Sequence, residues 1–291
     1  MNYKGTLIPV GGNEDKGMGL NEMYSLDFIK HGILSTIVKE SGGINSKIVV
    51  ITTASKIPKE VGHGYNMAFS ALGCNDLHIL DIRKRSEADS KKNLTLIEEA
   101  DCLLFSGGDQ SQIIKFISNS KMHDLLRLKL IETQFVIAGT SAGAMCMSKE
   151  MIAGGSVSEA LFKGNVKMNT GMGFLPEAII DSHFIQRGRF GRLAEAVAQF
   201  PSLLGIGLAE DTGLIIKNGN ACRVIGSGMV ILFDPSHLSH NKSAILSPGT
   251  PMSLSNLTTH VLAIGDQFTI KERSFEILPL EAELELKKWG Y

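Results

Sequence analysis

The sequence predicts an α/β protein: a mostly parallel central sheet flanked by helices, with antiparallel strands toward the C-terminus. Three observations carry that class. Short apolar runs rich in Val, Ile and Leu recur over roughly the first 180 residues, each ending in Gly, Thr, Ser or Asp. Stretches with helical spacing lie between them. Beyond about residue 205 the runs are separated by turns such as Lys217-Asn218-Gly219-Asn220. Strands that are apolar throughout and alternate with helices describe a parallel sheet covered on both faces. Short strands joined by Asn-Gly turns describe antiparallel pairing.

Taken in order, the predicted strands occupy residues 6–10, 47–52, 77–82, 101–105, 135–138 and 178–180. Helical spacing covers 23–40, 113–117 and 125–132. The later strands fall at 214–217, 221–225, 229–233, 261–264, 268–271 and 274–278. No low-complexity linker or internal repeat interrupts the chain, so one domain is expected over 1–291, its part from about 214 to 291 mainly β. In a parallel sheet the ligand crevice lies beyond the carboxyl ends of the strands. The segments there are Gly-Gly-Asn-Glu-Asp at 11–15, Thr-Thr-Ala-Ser at 52–55, Ser-Gly-Gly-Asp-Gln at 106–110, Gly-Thr-Ser-Ala-Gly at 139–143 and Asp-Ser-His at 181–183. They are expected to assemble into one site.

Composition narrows the function classes. Lys plus Arg number 29 against 30 Asp plus Glu, a balance that argues against a polyanion-binding surface and so against nucleic acid. The four cysteines, Cys74, Cys102, Cys146 and Cys222, form no C-x-x-C pair, and Cys102 and Cys146 read as reduced core residues. Residues 1–5 lead straight into a strand without an apolar signal region, and no apolar run approaches membrane-spanning length. The expectation is a soluble, cytoplasmic protein without a membrane partner.

The segment at 139–143 carries the chemistry. A buried strand that runs into G-x-S-x-G and then into a helix is a nucleophile elbow, in which small residues let a serine sit at an exposed apex. A plain strand-to-helix turn is the other reading of such a pattern. Serine needs an adjacent base, usually histidine oriented by a carboxylate. Of the eight histidines only His183 directly follows an apolar strand at the expected end; a histidine satisfied by backbone groups is its alternative reading. Glu210 and Asp211, just past the apolar run 203–208, are both candidates for the orienting acid. Ser106-Gly107-Gly108-Asp109 supplies an open glycine turn whose N–H groups, with that of Ala142, suit an oxyanion. Arg187, Arg189 and Arg192 are three arginines within six residues, a pattern of solvated faces or of bidentate carboxylate recognition.

These pieces together resemble cyanophycinases, in the serine-peptidase family that also holds the aspartyl dipeptidase peptidase E. The matching segments are Gly-Gly-Asn-Glu-Asp-Lys at 11–16, Gly-Gly-Asp-Gln at 107–110 and Gly-Thr-Ser-Ala-Gly-Ala at 139–144. Further on come Gly-Met-Gly-Phe-Leu at 171–175, Asp-Ser-His-Phe at 181–184, Gln-Arg-Gly-Arg-Phe-Gly-Arg-Leu at 186–193 and Glu-Asp-Thr at 210–212. They stand in the family's order and cover roughly residues 5–233.

The resemblance implies a class I glutamine amidotransferase-like fold with serine at the elbow. It implies Ser141, His183 and Glu210 as nucleophile, base and orienting acid, and no metal or organic cofactor. It implies cyanophycin (a poly-aspartate carrying arginine on each side-chain carboxyl) as substrate and β-Asp-Arg as product, with aspartyl or isoaspartyl peptides as the alternative substrates. Arg187, Arg189 and Arg192 then fall on the carboxylate side of the pocket or brace it, with Gln110 and Asp181 on the amide and cationic side. A homodimer is typical of the resembling proteins. Ser182 departs from the glutamine common there; being shorter, it implies a different substrate affinity or preference. A catalytically inactive binding protein of the same fold is the alternative from another class, and glutamine amide transfer is disfavoured by the serine at the elbow.

Overall fold

The computed structural model describes residues 3–18, 26–156 and 159–278 of the chain. The first apolar run forms β1 (Thr6–Val10). The helical stretch expected over 23–40 divides into α1 (Phe28–His31) and α2 (Ile33–Glu40), and residues 23–25 lie outside the described residues. Gly32 stands between the two helices with extended backbone, φ −62° and ψ 158°, and glycine is the residue that least favours a helix interior among those with an N–H. Then follow β2 (Ile48–Ile51), α3 (Pro58–Ala71), β3 (Leu77–Leu80), α4 (Arg85–Ala88), α5 (Lys91–Glu99), β4 (Cys102–Phe105), α6 (Gln110–Ile117) and α7 (Lys121–Glu132). Side-chain caps start four of these helices: Asp27 accepts the Lys30 N–H, Ser90 the Asn93 N–H, Asp109 the Ser111 N–H and Ser120 the His123 N–H.

The elbow joins β5 (Val136–Thr140) to α8 (Ala142–Met145). Beyond it lie β6 (Glu150–Gly154), β7 (Lys167–Thr170), β8 (Ala178–Asp181), α9 (Phe190–Gln199) and β9 (Leu204–Leu208). The C-terminal strands are β10 (Thr212–Lys217), β11 (Ala221–Gly226), β12 (Val230–Asp234), β13 (Thr258–Leu262), β14 (Gln267–Thr269) and β15 (Phe275–Glu276).

The central sheet has nine strands in the order β15-β14-β11-β10-β1-β5-β4-β2-β3. Its half from β1 to β3 is parallel throughout, and β10 continues it antiparallel on the far side of β1. Period-two alternation explains why these strands are continuously apolar. Val49, Ile51, Leu103, Phe105 and Ile137 enter one core with α5, α6 and α7 residues. Ile48, Val50, Cys102, Leu104 and Val136 enter the other, against α2 and α3. Each such side chain, fully buried, contributes about 1.5–3 kcal/mol.

The sequence pattern puts 178–180 in this same sheet and attaches all the later strands to it. Instead β8, β9, β12 and β13 form a separate four-stranded sheet in the order β13-β12-β9-β8. One face of it, with Ile180, Ile206, Leu208 and Leu232, joins the core that holds Leu7, Ile137 and Leu214. The other face, with Ile179, Ile231 and Phe233, packs on Leu193 and Val197 of α9. Strands β6 and β7 pair antiparallel as a further two-stranded ribbon. All four cysteines are free and buried. Among the described residues no helix is long and apolar enough to cross a membrane.

Candidate active site

Ser141 sits where β5 ends, with φ 51° and ψ −108°, a conformation sparsely populated by residues other than glycine and held only where its surroundings over-determine it. They do so here. The Ser141 N–H donates to the Val10 carbonyl at 2.8 Å, and the Ser141 carbonyl accepts from Ala144 and Met145 at 3.0 Å each. A Cβ on Gly143 would stand 2.2 Å from the Phe105 carbonyl oxygen, so the turn closes only without a side chain there.

The Ser141 hydroxyl lies 2.9 Å from His183 Nε2, and His183 Nδ1 lies 2.6 Å from Glu210 Oε1. The second carboxylate oxygen of Glu210 accepts the Asn13 side-chain amide at 3.1 Å. His183 follows β8 at φ 47°, and its N–H donates to the Gly11 carbonyl at 2.7 Å. Gly12, at φ 106°, lies against the ring: a Cβ there would be 2.4 Å from His183 Cε1. The imidazole is thus fixed by the turn after β1 as well as by its own strand. Burial lowers the His183 pKa below the ordinary histidine value; Glu210 opposes this through its hydrogen bond, and the Arg187 and Arg189 charges reinforce it. The net effect favours the neutral imidazole, the form able to take a proton.

Of the two acids that sequence leaves open, Glu210 faces the histidine. Asp211 points away: it accepts the Ser227 hydroxyl at 2.6 Å and the Asp15 N–H at 3.0 Å. Its burial pushes its pKa up to about 6 despite those two donors.

The turn after β4 runs beside the elbow. Gly108, at φ 140°, passes so close to β2's end that a Cβ would fall 2.0 Å from the Ala54 carbonyl oxygen. Among the described residues the Gly108 N–H makes no hydrogen bond, and the Ala142 N–H heads the first turn of α8, where no intrahelical acceptor exists. Both donors are therefore available for an oxyanion.

Asp181, Gln110 and Ser182 lie differently from expectation, while Arg189 and Arg192 take the bracing role, one of the two expected for them. Asp181 is fully buried and accepts from Arg189 Nη1 at 3.1 Å, from Arg192 Nε at 2.8 Å and from Arg192 Nη2. Its charge is spent internally, so it is not on a cationic side of the pocket. Arg192 is buried with it, and Arg189 also donates to the Ser182 carbonyl at 2.7 Å. These two arginines brace β8 rather than present guanidinium groups to the cleft. Gln110 ties α6 to β6 through the Ile152 carbonyl at 2.9 Å and does not line the cleft. Arg187 alone of the three arginines lines it. Ser182 is fully buried, its hydroxyl 3.4 Å from that of Ser141 and 3.3 Å from Met145 Sδ.

Ser141, His183 and Glu210 open into a cleft of about 760 Å³, lined also by Asn13, Glu14, Lys16, Glu60, Tyr65, Gly107, Gly108 and Arg187. A larger cavity of about 1010 Å³ lies against β6 and residues 155–167 and takes in none of these three. Two contributors to the cleft do not stand out in the sequence. Asn13 reads there only as a strand-end residue, although its position in the glycine turn after β1 is a signal. Glu14 is buried and accepts from Tyr65 at 2.6 Å, Thr140 at 2.5 Å and Lys16 at 2.9 Å. Burial alone would raise its pKa, but Lys16, Thr140 and Tyr65 together outweigh it and hold the carboxyl below its ordinary value. The residue beside the serine is thereby anchored to a fixed anion. Among the described residues no group of three His, Cys, Asp or Glu side chains is placed to hold a metal ion.

A strained serine in line with an imidazole and a carboxylate, at the carboxyl edge of parallel strands, is the arrangement of a serine-type peptidase, and that is the class of this enzyme. The chain belongs to Peptidase family S51, whose model matches residues 28–224. It is 34% identical over 276 residues to a cyanophycinase of Trichormus variabilis, an alignment covering 95% of this chain and 88% of the relative. A cyanophycinase of Geminocystis herdmanii is 32% identical over 268 residues, covering 92% and 94%. The crystal structure of a peptidase from an acI-B1 Actinobacterium superposes with a TM-score of 0.64, at 19% identity over 92% of this chain and 98% of that one. That likeness bears on the fold.

Proposed function

We propose that the enzyme is a cytoplasmic serine exopeptidase of the cyanophycinase type, which hydrolyses aspartyl backbone bonds of multi-L-arginyl-poly-L-aspartate and releases β-Asp-Arg. The observation that carries the reading is the continuous hydrogen-bonded line from Ser141 Oγ through His183 to Glu210, at 2.9 and 2.6 Å. The cyanophycinase names of relatives aligned over nearly the whole chain support the substrate.

In this mechanism His183 Nε2 takes the Ser141 proton as Oγ attacks the backbone carbonyl. Glu210 holds the Nδ1 proton and stabilises the imidazolium that forms. The N–H groups of Gly108 and Ala142 receive the developing oxyanion. His183 then protonates the departing amine, and water, activated by the same base, releases the acyl group. Lys16 and Arg187 supply the cationic side of the cleft, suited to the free carboxylate of a β-Asp-Arg unit. The resemblance adds a homodimer and no cofactor to this reading.

Short aspartyl or isoaspartyl peptides are the second reading. It is favoured by the serine at 182, which is buried, and by the withdrawal of Gln110 and Asp181 from the cleft. Product analysis separates the two. Purified protein is incubated with insoluble cyanophycin and, separately, with short isoaspartyl peptides, beside Ser141→Ala, for which a loss of about 10⁴-fold or more is expected. Release of β-Asp-Arg from the polymer by the wild type alone is the expected result. Cleavage of the short peptides only would transfer the assignment to the dipeptidase reading, and turnover by Ser141→Ala would remove Ser141 as nucleophile.

A further inference from the structure

One wall of the cleft is a single face of α3. Glu60, Val61, Gly64 and Tyr65 line it, with Ile57 just before the helix, and the spacing of three and four among those four places them on one stripe. The wall is unusual in what it leaves uncovered. Ile57 is 57% exposed, and Met18, which lines the cleft beside it, is 58% exposed. Gly64 keeps the floor between them open, since even an added Cβ would only reach van der Waals distance, 3.7 Å, from Met18 Cε. The charges around this ledge are unevenly committed. Glu14 is held by Thr140, Tyr65 and Lys16, and Glu210 by His183 and Asn13. Glu60 lines the same cleft, is exposed, and its carboxylate makes no hydrogen bond or ion pair among the described residues.

We propose that Glu60 receives the guanidinium of the substrate's arginine side chain while Ile57, Val61 and Met18 receive its methylene stem. The inference rests on the peptidase reading above and extends it to the group that selects the side chain. Arginine is three methylenes ending in a planar, permanently charged fork. Such a side chain buries its stem on apolar surface and directs its head to a carboxylate. An uncommitted carboxylate at the end of an apolar ledge matches that division of polarity. An acidic side chain would meet repulsion there, and a purely apolar one would desolvate Glu60 without a partner. The two signs of a β-Asp-Arg unit are then read on different parts of the cleft: the carboxylate by Lys16 and Arg187, the guanidinium by Glu60.

Citrulline, the neutral isostere of arginine, provides the test. Steady-state kinetics are measured on two soluble aspartate oligomers whose side chains are amide-linked either to arginine or to citrulline. The wild type is expected to prefer the arginine oligomer about tenfold or more in kcat/KM, mostly through KM. Glu60→Gln should raise KM for the arginine oligomer about tenfold, with a smaller change in kcat, and narrow the preference to within about twofold. Glu60→Asp, which keeps the charge, should recover part of the preference, a rescue that a merely structural role would not produce. Retention of the full arginine preference in Glu60→Gln would overturn the Glu60 assignment and leave the peptidase reading standing. Failure of the wild type to hydrolyse either oligomer would overturn that reading, and this proposal with it.

Discussion

Replacing Asp211 by asparagine should stabilise the protein at neutral pH, and the size of the gain follows from its surroundings. The carboxyl is 4% exposed, and its pKa is pushed from 3.8 to about 6 by burial. A folded-state value above the unfolded one means that the folded protein binds this proton more tightly. The stabilising contribution is complete below about pH 4 and is lost as pH rises through about 6. A carboxyl raised that far costs roughly 3 kcal/mol of stability at pH 7, where it must carry its charge in the folded protein.

Asparagine removes the charge and preserves both contacts. Its carbonyl can accept the Asp15 N–H in place of Oδ1, and its amide can donate to the Ser227 hydroxyl in place of Oδ2. It also tolerates the φ of 46° at this position better than most residues. Urea unfolding from pH 4 to 8 checks the reasoning: Asp211→Asn should exceed the wild type by about 2–3 kcal/mol at pH 7–8 and by little at pH 4. A difference that stays constant across that range, or a variant less stable at pH 7, would refute it. Hydrolytic activity should survive Asp211→Asn and collapse in Glu210→Gln. The reverse pattern would make Asp211 the acid that orients His183.

Two further outcomes follow from the site. Arg192→Ala leaves Asp181 buried with weakened pairing and should cost about 3 kcal/mol of stability by thermal or urea unfolding; Arg187→Ala should leave stability within about 0.5 kcal/mol and raise KM instead. Equal stability loss in the two variants would dissolve the distinction between brace and cleft residue. Gly12→Ala inserts a Cβ against the His183 ring at a φ of 106° and should lower kcat by about 10²-fold or more, while Ser141 and Glu210 stay chemically intact. Unchanged kcat in that variant would show that the ring is not held by this turn.

Much of the parallel half of the sheet can be read from apolar runs, because a strand covered on both faces has to be apolar throughout. The same property hides the second sheet. Ala178–Asp181 is fully buried wherever it pairs, so its sequence cannot say which sheet it joins. Lys167–Thr170 escapes notice because it is largely exposed and carries no alternation, with only Met168, opposite Ile152, packed against a core. At the site, Ser141 and His183 are legible because each ends a buried strand. The arginines are not separable: Arg187, Arg189 and Arg192 look alike until the burial of Asp181 shows which guanidinium groups it consumes. Glu60 gives no signal, since a lone acid in a helix is ordinary and only the cleft sets it apart.

The three residues Ala209, Glu210 and Asp211 connect β9 in the four-stranded sheet to β10 in the nine-stranded one. Ser141 comes from the larger sheet, His183 from the end of the smaller one, and Glu210 from the joint between them. The turn after β1 stitches that joint, with Gly11 N–H donating to Thr212, and Gly12 accepting from Asp211. The alignment of these three side chains is therefore a property of how two sheets are docked, and neither sheet holds it alone. A descendant of such a chain can part with its chemistry by altering the length of one short crossing, while both sheets keep the packing that makes them fold.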